Sequence, residues 1–227
     1  MNTVSHPKPL AQPAPTVKPS TSLLIETLIV LAATLGLSLA LPQAKSLIAL
    51  LPVVYLLVER LARHRPWAQL GLRREGFRAA LAANWGLILL VAVVVQAAVV
   101  LIARGLWPAL LAHITGRLPL FDRGSTAPFI ILVLISTFLE ELSFRGLFQE
   151  RLGWFMPPLA ANLIVSIPFA LLHWSAGALA IVAVDVGLVA LDSVLYGLIY
   201  DRGHNVVVSW IAHCLADLAA VVLLLVL

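Results

Sequence analysis

The sequence predicts an all-α fold, a polytopic transmembrane helical bundle of about seven spans, within a range of about six to eight. Only 11% of the 227 residues are charged, and the mean hydropathy is +1.01. A water-soluble domain of this length needs far more polar surface. The apolar runs are rich in Leu, Ala and Val and do not alternate with polar residues. They are therefore typical of membrane helices and not of a transmembrane barrel.

The chain divides into a polar tail and a long apolar part. Residues 1–20 contain five prolines and no apolar run, so we predict a disordered tail there. Residues 21–227 are predicted to form a single membrane-embedded helical domain, with spans at 21–41, 46–60, 80–103, 125–150, 157–174, 177–200 and 205–227. A span needs about 20 residues, so 46–60 and 157–174 are short, which burial among other helices would explain. Residues 105–116 are apolar but contain a proline, and we predict an interfacial or re-entrant segment.

The placement of Lys and Arg predicts the orientation in the membrane. With seven spans, eleven of the fifteen basic residues lie on the side of the N terminus. Cytoplasmic loops carry this excess, so the N terminus is predicted to be cytoplasmic. The arginine-rich stretch 59–78 is interpreted as a topology determinant lying on anionic lipid, with substrate docking as the alternative. The lipid bilayer is thus an expected partner. No nucleic-acid motif is found, and a single cysteine excludes both an internal disulfide and a cysteine zinc site.

Two acids and an arginine lie at the end of one apolar run, in the stretch LISTFLEELSFRGLFQE at 134–150. On a helix, Glu141 and Arg145 are four residues apart with the acid first, which favours an ion pair. Glu140 points about 100° away and cannot share that arginine. A carboxylate left free in a membrane can act as a general base. The alternative is a helix end at the membrane surface with both acids solvated.

Polar residues recur on two later spans. Phe169 and His173 in IPFALLHW are four residues apart, as are His213 and Asp217 in WIAHCLADL. Counted along their helices at about 1.5 Å per residue, Glu140 and both histidines fall near the middle of the membrane. We expect one shared polar site, with His213 and Asp217 facing the bundle interior. Each group could instead make only structural hydrogen bonds.

These three motifs in order resemble the CPBP family of CAAX-processing and bacteriocin-processing intramembrane proteases, also called the type II CAAX endopeptidase or ABI family. The pattern E-E-x-x-x-R is met at 140–145, F-x-x-x-H at 169–173, and H-x-x-x-N/D at 213–217. The resemblance covers about residues 125–220 and places the catalytic core there. It implies an intramembrane endopeptidase that cleaves a membrane-associated protein or peptide, such as a C-terminal anchor or a bacteriocin. The chain is compact, with short loops and no long insertions, as in bacterial proteins, so we expect an integral protein of the bacterial inner membrane.

The resemblance assigns roles to the motif residues. Glu140 is expected to activate water as the general base, with His173, His213 and Asp217 completing the catalytic centre. Glu141, Arg145 and Phe169 are expected to support it. The family is often described as metalloproteases, so His173, His213 and Glu140 are candidate zinc ligands, and a metal-independent glutamate mechanism is the alternative. Asp217 stands where many relatives have Asn, which weakens a role as hydrogen-bond donor and favours one as a ligand or in orienting His213.

Asp185 and Asp192 are seven residues apart, so they lie close to one face of the span at 177–200. These two acids support hypotheses other than a protease. They could line a water-filled path to the site or contact its residues. They could instead form a proton path in a proton-coupled transporter, or simply bond to neighbouring helices. A non-catalytic membrane scaffold or immunity protein of the same fold is the third hypothesis.

Overall fold

A computed structural model describes residues 19–116 and 126–226 of the chain, and none of these residues lies in a β-strand. The predicted all-α class is therefore confirmed for this part of the chain. The predicted tail lies almost entirely outside the described residues, which begin at Pro19. The first helix begins directly after it, where the Ser20 hydroxyl accepts a hydrogen bond from the Leu23 N–H.

The described residues of the N-terminal half form six α-helices. Helix α1 covers Thr21–Ala40 and is followed by a short 3₁₀ helix, Pro42–Ala44. The remaining ones are α2 (Lys45–Ile48), α3 (Leu51–Ala62), α4 (Phe77–Leu89), α5 (Gln96–Leu106) and α6 (Pro108–Gly116). A second 3₁₀ helix, Trp67–Leu70, lies between α3 and α4, and the π-helix Leu90–Val95 joins α4 to α5 without a break.

The C-terminal half carries the predicted site. Helix α7 (Thr126–Ser143) continues through a π-helix, Phe144–Gln149, into α8 (Glu150–Leu152). Then follow α9 (Pro158–Leu171), α10 (Leu179–Gly203) and α11 (Val206–Val226). All six residues of the π-helix are buried. Such wide turns are frequent at functional sites, and this one begins three residues after Glu141.

Five helical segments among the described residues are long and apolar enough to cross a membrane, which is consistent with an integral membrane protein. They are Thr21–Ala40, Phe77–Leu106, Ala127–Leu152, Leu179–Gly203 and Val206–Val226. The predicted count of about seven is not confirmed. The two short spans account for the difference, because 46–60 is divided between α2 and α3 and 157–174 corresponds to the 14-residue helix α9.

Helix packing brings the C-terminal helices around one interior. Helix α9 packs against α10, and α7 packs against α11. The α9–α10 contact is close because Gly197 leaves room for the Asn162 amide, which donates to the Val194 carbonyl at 3.0 Å. An aromatic cluster of Phe144, Phe148 and Phe169 fills the space between the π-helix and α9. These contacts fix the depth at which the polar residues meet.

The arginine-rich stretch is partly interior, and its interpretation as a topology determinant lying on anionic lipid stays a prediction. Arg65 and Glu59 are 2% and 5% exposed, and their side chains pair at 3.0 Å. Arg151 of α8 reaches the same carboxylate at 2.9 Å. The nearby Leu70 is fully buried. The sequence could not show the contact of Arg151 with Glu59, since these residues lie far apart in the chain.

Candidate active site

A cavity of about 300 Å³ lies between the helices of the C-terminal half and contains the predicted site residues. Its wall includes Glu140 of α7, Asp217 and His213 of α11, and His173, which follows α9. Helices α5 and α6 close it from the N-terminal half through Gln96, Val99 and Ile114. A polar cavity inside an otherwise apolar bundle is where a membrane protein does chemistry.

Glu140 lies between the two histidines. Its Oε2 is 4.0 Å from His173 Nε2 and 3.9 Å from His213 Nε2. The Glu140 side chain is 31% exposed, and it borders the cavity. The predicted convergence of three separate segments on one site is therefore present, within the reach of a single water molecule. The catalytic roles of these residues stay predictions.

Both histidines turn the same nitrogen toward Glu140. His173 Nδ1 lies 2.8 Å from the Phe169 carbonyl, and His213 Nδ1 lies 3.0 Å from Glu141 Oε1. A carbonyl and a carboxylate only accept, so each Nδ1 carries the hydrogen and donates it. Nε2 of each ring is thus left to face Glu140. In the neutral ring it accepts a hydrogen bond, and in the protonated ring it donates one.

Glu141 is held from several sides, as predicted for the acid beside Arg145. Glu141 and Arg145 are both 0% exposed, and Glu141 Oε2 lies 3.3 Å from Arg145 Nε. Ser209 donates to the same carboxylate through its hydroxyl. Arg145 in turn donates to the backbone carbonyl of Ser193 at 2.9 Å. Glu141 therefore connects α7 to α11, and Arg145 connects the π-helix to α10.

The expectation that Asp217 orients His213 needs correction. His213 Nδ1 donates to Glu141, while Asp217 Oδ2 lies 3.8 Å from the other nitrogen, Nε2. Residue spacing along α11 predicted the Asp217 contact, because positions four apart share a face. It could not predict that a carboxylate from α7 is closer. Asp217 thus belongs to the cavity side of His213, where Glu140 also lies.

Phe169 was predicted to support the site, and the structure gives it two specific contacts with the histidines. Its carbonyl orients His173, and its ring lies 4.9 Å from the His173 ring and 5.9 Å from the His213 ring, between centroids. The Arg145 guanidinium lies 5.5 Å from the same ring centroid. An aromatic ring at this place fixes both imidazoles and a buried cation.

Sequence reasoning missed Tyr196 and Ser209. Tyr196 stacks on His213, with ring centroids 4.4 Å apart and planes 19° apart, and it is 2% exposed. The Ser209 hydroxyl lies between Glu141 and the Tyr196 carbonyl. Their spacing along the helices could have identified them as site residues. Tyr196 lies one turn after Asp192, and Ser209 lies one turn before His213.

Asp185 and Asp192 both line the cavity, and each meets a residue of the N-terminal half. Asp192 Oδ2 accepts from Gln96 Nε2 at 3.1 Å. Asp185 Oδ2 lies 3.4 Å from His113 Nε2, and the Ser175 hydroxyl lies 3.1 Å from that same nitrogen. Since Asp185 and Ser175 share one ring nitrogen, they do not form a Ser-His-Asp triad, which uses both nitrogens.

The predicted zinc ligands are arranged more widely than zinc requires. Tetrahedral zinc with bonds of about 2.0–2.1 Å places neighbouring ligand atoms about 3.3 Å apart. Glu140 Oε2 lies 4.0 and 3.9 Å from the two histidine nitrogens. Within residues 19–116 and 126–226, no three His, Cys, Asp or Glu residues are grouped so as to hold a metal ion. The side chains as placed do not fit zinc.

Comparison with known proteins identifies the segment that carries this site. Residues 122–219 match the family model described as type II CAAX prenyl endopeptidase Rce1-like. The match covers less than half of the chain and includes every predicted site residue. The chain has no significant match among curated proteins or among solved structures.

The family match implies a peptidase, and proteases of this family act on membrane-associated peptide substrates. It also agrees with the order of the three motifs and with the cavity that unites them. Residues 122–219 thus match the model of the Rce1-like family, and the resemblance to type II CAAX endopeptidases predicted from the motifs is confirmed for this segment of the chain.

Proposed function

We propose that this protein is an intramembrane endopeptidase that hydrolyses a peptide bond of a membrane-associated protein or peptide, with Glu140 as the general base. One observation carries the proposal. The Glu140 carboxylate borders a cavity within 4.0 Å of two imidazole nitrogens that belong to different segments of the chain. A carboxylate, a water molecule and two adjustable donors are sufficient for peptide hydrolysis.

In the proposed reaction, Glu140 takes a proton from a water molecule. The water oxygen attacks the carbonyl carbon, and a tetrahedral intermediate with a negative oxygen forms. Glu140 then gives the proton to the leaving amide nitrogen, the carbon–nitrogen bond breaks, and a new carboxyl terminus and a new amine are released. General catalysis of this kind contributes about 10²–10⁴-fold in rate.

The two histidines are proposed to serve the water and the oxyanion. His173, held through Nδ1 by the Phe169 carbonyl, presents Nε2 to the water beside Glu140. His213 in its protonated form is paired with Glu141 and donates from Nε2 toward the oxyanion. Asp217, at 3.8 Å from that nitrogen, is proposed to stabilise the protonated ring. Glu141 and Arg145 hold α7, α10 and α11 together.

That His173, His213 and Glu140 bind zinc stays a prediction, and the mechanism above does not depend on it. When bound, zinc would supply a Lewis acid for the carbonyl oxygen. The steps proposed above use only groups of the chain. The bacterial inner membrane and a cytoplasmic N terminus are likewise proposed, from the compact chain with short loops and from the placement of Lys and Arg.

The proposal is tested by quantitative proteomics of protein termini in membranes of cells that produce each variant. We expect new termini with the wild type that fall about 100-fold or more with Glu140→Gln and His173→Ala. Glu75→Gln is the matched control, because Glu75 is an exposed acid that does not belong to the cavity lining. Termini that persist with Glu140→Gln would overturn the proposal. Ion flux into proteoliposomes that depends on Asp185 and Asp192 would instead favour the transporter hypothesis.

A further inference from the structure

A second cavity, of about 390 Å³, lies on the other side of Glu140 and His173. Both residues belong to its wall as well as to the wall of the first cavity. The second cavity is bounded by α1, α2 and α3 of the N-terminal half and by α7, Leu172 and His173. Glu140 and His173 therefore stand between the two cavities, and the Glu140 carboxylate borders both.

The two cavities differ in chemistry. The first is lined by three aspartates, Asp185, Asp192 and Asp217. The lining of the second contains no aspartate, and its carboxylate is Glu140 itself. Apart from Lys45 and His173, its other wall residues are apolar or small, and they include Leu50, Leu132, Ile135, Leu139, Phe144 and Leu172. This composition suits an apolar ligand.

The second cavity reaches the outer, apolar face of the bundle. Ile135 and Leu132 of α7 line it and are 54% and 46% exposed. Leu50, on the opposite wall, is 38% exposed. In a membrane these residues face lipid, so an apolar segment can enter sideways from the bilayer without passing through water.

One buried hydroxyl of the second cavity has no hydrogen-bond partner in the part of the chain that the structure describes. Ser38 is 3% exposed, and its Oγ has no partner among the described residues. The neighbouring hydroxyls are satisfied within their own helices: Thr34 donates to Val30 at 2.7 Å and Ser143 donates to Leu139 at 2.8 Å. A buried hydroxyl without a partner is rare in proteins. Ser38 therefore indicates a ligand that brings a polar atom into an apolar cavity.

We propose that the second cavity binds an extended apolar peptide segment of the substrate next to the scissile bond, and that Ser38 hydrogen-bonds a main-chain group of that segment. The position of the scissile bond rests on the proposed function of Glu140. A peptide in extended form offers free N–H and C=O groups at every residue. A hydrocarbon chain would fill the same space but leave the Ser38 hydroxyl unpaired. The peptide is thus the ligand that satisfies both the walls and the hydroxyl.

Binding is tested with the full-length Glu140→Gln variant in lipid nanodiscs. The probe is a synthetic Leu- and Ala-rich peptide that contains a photoreactive diazirine analogue of leucine. We expect it to label residues of the second cavity, such as Leu50, Leu132 and Leu139, as located by mass spectrometry. Ser38→Ala should raise the half-saturating peptide concentration about fivefold, the effect of one ordinary hydrogen bond.

Two further variants test whether the peptide occupies the second cavity, independently of the Ser38 hydrogen bond. Ala49→Phe places a ring at the cavity wall and should lower peptide labelling tenfold or more. Leu47→Phe, on the adjoining helix at a position 74% exposed and outside the cavity lining, should leave labelling unchanged. Ser22→Ala, an exposed serine of the same helix as Ser38, is the control for the lost hydroxyl. If Ala49→Phe does not fold, the Ser38→Ala variant and the map of labelled residues still test the proposal.

A diazirine-bearing fatty alcohol serves as the competing probe. The proposal predicts that Ser38→Ala leaves labelling by this alkyl probe unchanged while it weakens labelling by the peptide. Peptide labelling that is insensitive to both Ser38→Ala and Ala49→Phe, or that falls outside the second cavity, would overturn the proposal. Strong alkyl labelling without peptide labelling would assign the cavity to a lipid chain. Because binding is measured without hydrolysis, these results are separate from the proteomic test of Glu140.

Discussion

Neighbouring acids at 140 and 141 have opposite surroundings, because successive helical residues point about 100° apart. Glu141 is 0% exposed and is contacted by Arg145, Ser209 and His213. The Glu140 side chain is 31% exposed and contacts two imidazoles only at about 4 Å. The first arrangement is typical of a structural ion pair and the second of a group that exchanges protons with water.

The structural role of Glu141 gives a prediction distinct from that of Glu140. Glu141→Gln leaves the fully buried Arg145 without its counter-charge, so we expect a loss of about 3–5 kcal/mol in the free energy of unfolding. Glu140→Gln should change that free energy by less than about 1 kcal/mol, since its ion-pair contacts with the two histidines are as long as 4.0 and 3.9 Å. Reversible unfolding in mixed micelles with increasing SDS measures both. Equal stabilities of the two variants would contradict this division of roles.

Sequence reasoning succeeded at the residue scale where the contact lies within one helix. The Glu141–Arg145 pair follows from a spacing of four residues, and the structure has it at 3.3 Å. It failed where the contact joins two helices. The bond from His213 Nδ1 to Glu141 and the stacking of Tyr196 on His213 depend on how α11 packs against α7 and α10, and no local pattern encodes that.

At the scale of the elements, the contact between α9 and α10 positions His173. Helix α9 carries Phe169 near its C-terminal end, with His173 just beyond. Its approach to α10 depends on Gly197, where an added methyl group would overlap the amide of Asn162. That amide is fully buried and donates to Val194 at 3.0 Å, so it cannot move aside without losing a buried hydrogen bond.

A pair of glycine substitutions on α10 tests this contact. Gly197→Ala should destabilise the protein by about 1–3 kcal/mol, the usual cost of overpacking, and should lower proteolysis because His173 shifts. Gly187→Ala is the control on the same helix, since an added methyl there meets nothing within 4 Å. It should be neutral or stabilising by up to about 1 kcal/mol through helix propensity. Thermal unfolding in detergent compares them, and similar losses for both would count against the packing argument.

Helix boundaries were predictable to within a few residues, but the number of spans was not. The predicted span 80–103 is Phe77–Leu106, and the predicted 177–200 is Leu179–Gly203. Hydropathy identifies these because they are long and uninterrupted. It cannot tell whether a shorter apolar run such as 46–60 is one helix or two, since the break between α2 and α3 is not marked by a polar residue.

At the scale of the whole molecule, buried ion pairs join the N-terminal half to the segment that matches the family. Arg151 of α8 reaches Glu59 at 2.9 Å, and it donates to the hydroxyls of Tyr55 and Thr27 at 2.9 and 3.2 Å. Arg63 connects Glu59 to Glu26 of α1. These contacts place α1 and α3 against the catalytic helices, so the N-terminal half forms one wall of the second cavity.

A second connection lies at the turn between α10 and α11. His204 has a left-handed backbone, with φ of 43°, and is 8% exposed. Its Nδ1 lies 3.9 Å from Glu150 of α8, which also accepts from the Tyr200 hydroxyl at 2.6 Å. Asn205 donates to the Arg73 carbonyl at 2.9 Å and so ties this turn to the N-terminal half.

His204 makes the stability of the whole molecule depend on pH. Burial lowers the pKa of His204 below its ordinary value of 6.5, and the nearby Glu150 opposes this only in part. Below about pH 6.5 the unfolded chain binds a proton that the folded protein resists, so stability is lost as the pH falls. His204→Asn removes the titrating group and suits the left-handed backbone. We expect the melting temperature of the wild type to fall more between pH 7 and pH 5 than that of His204→Asn, and parallel profiles would show that the turn does not contribute.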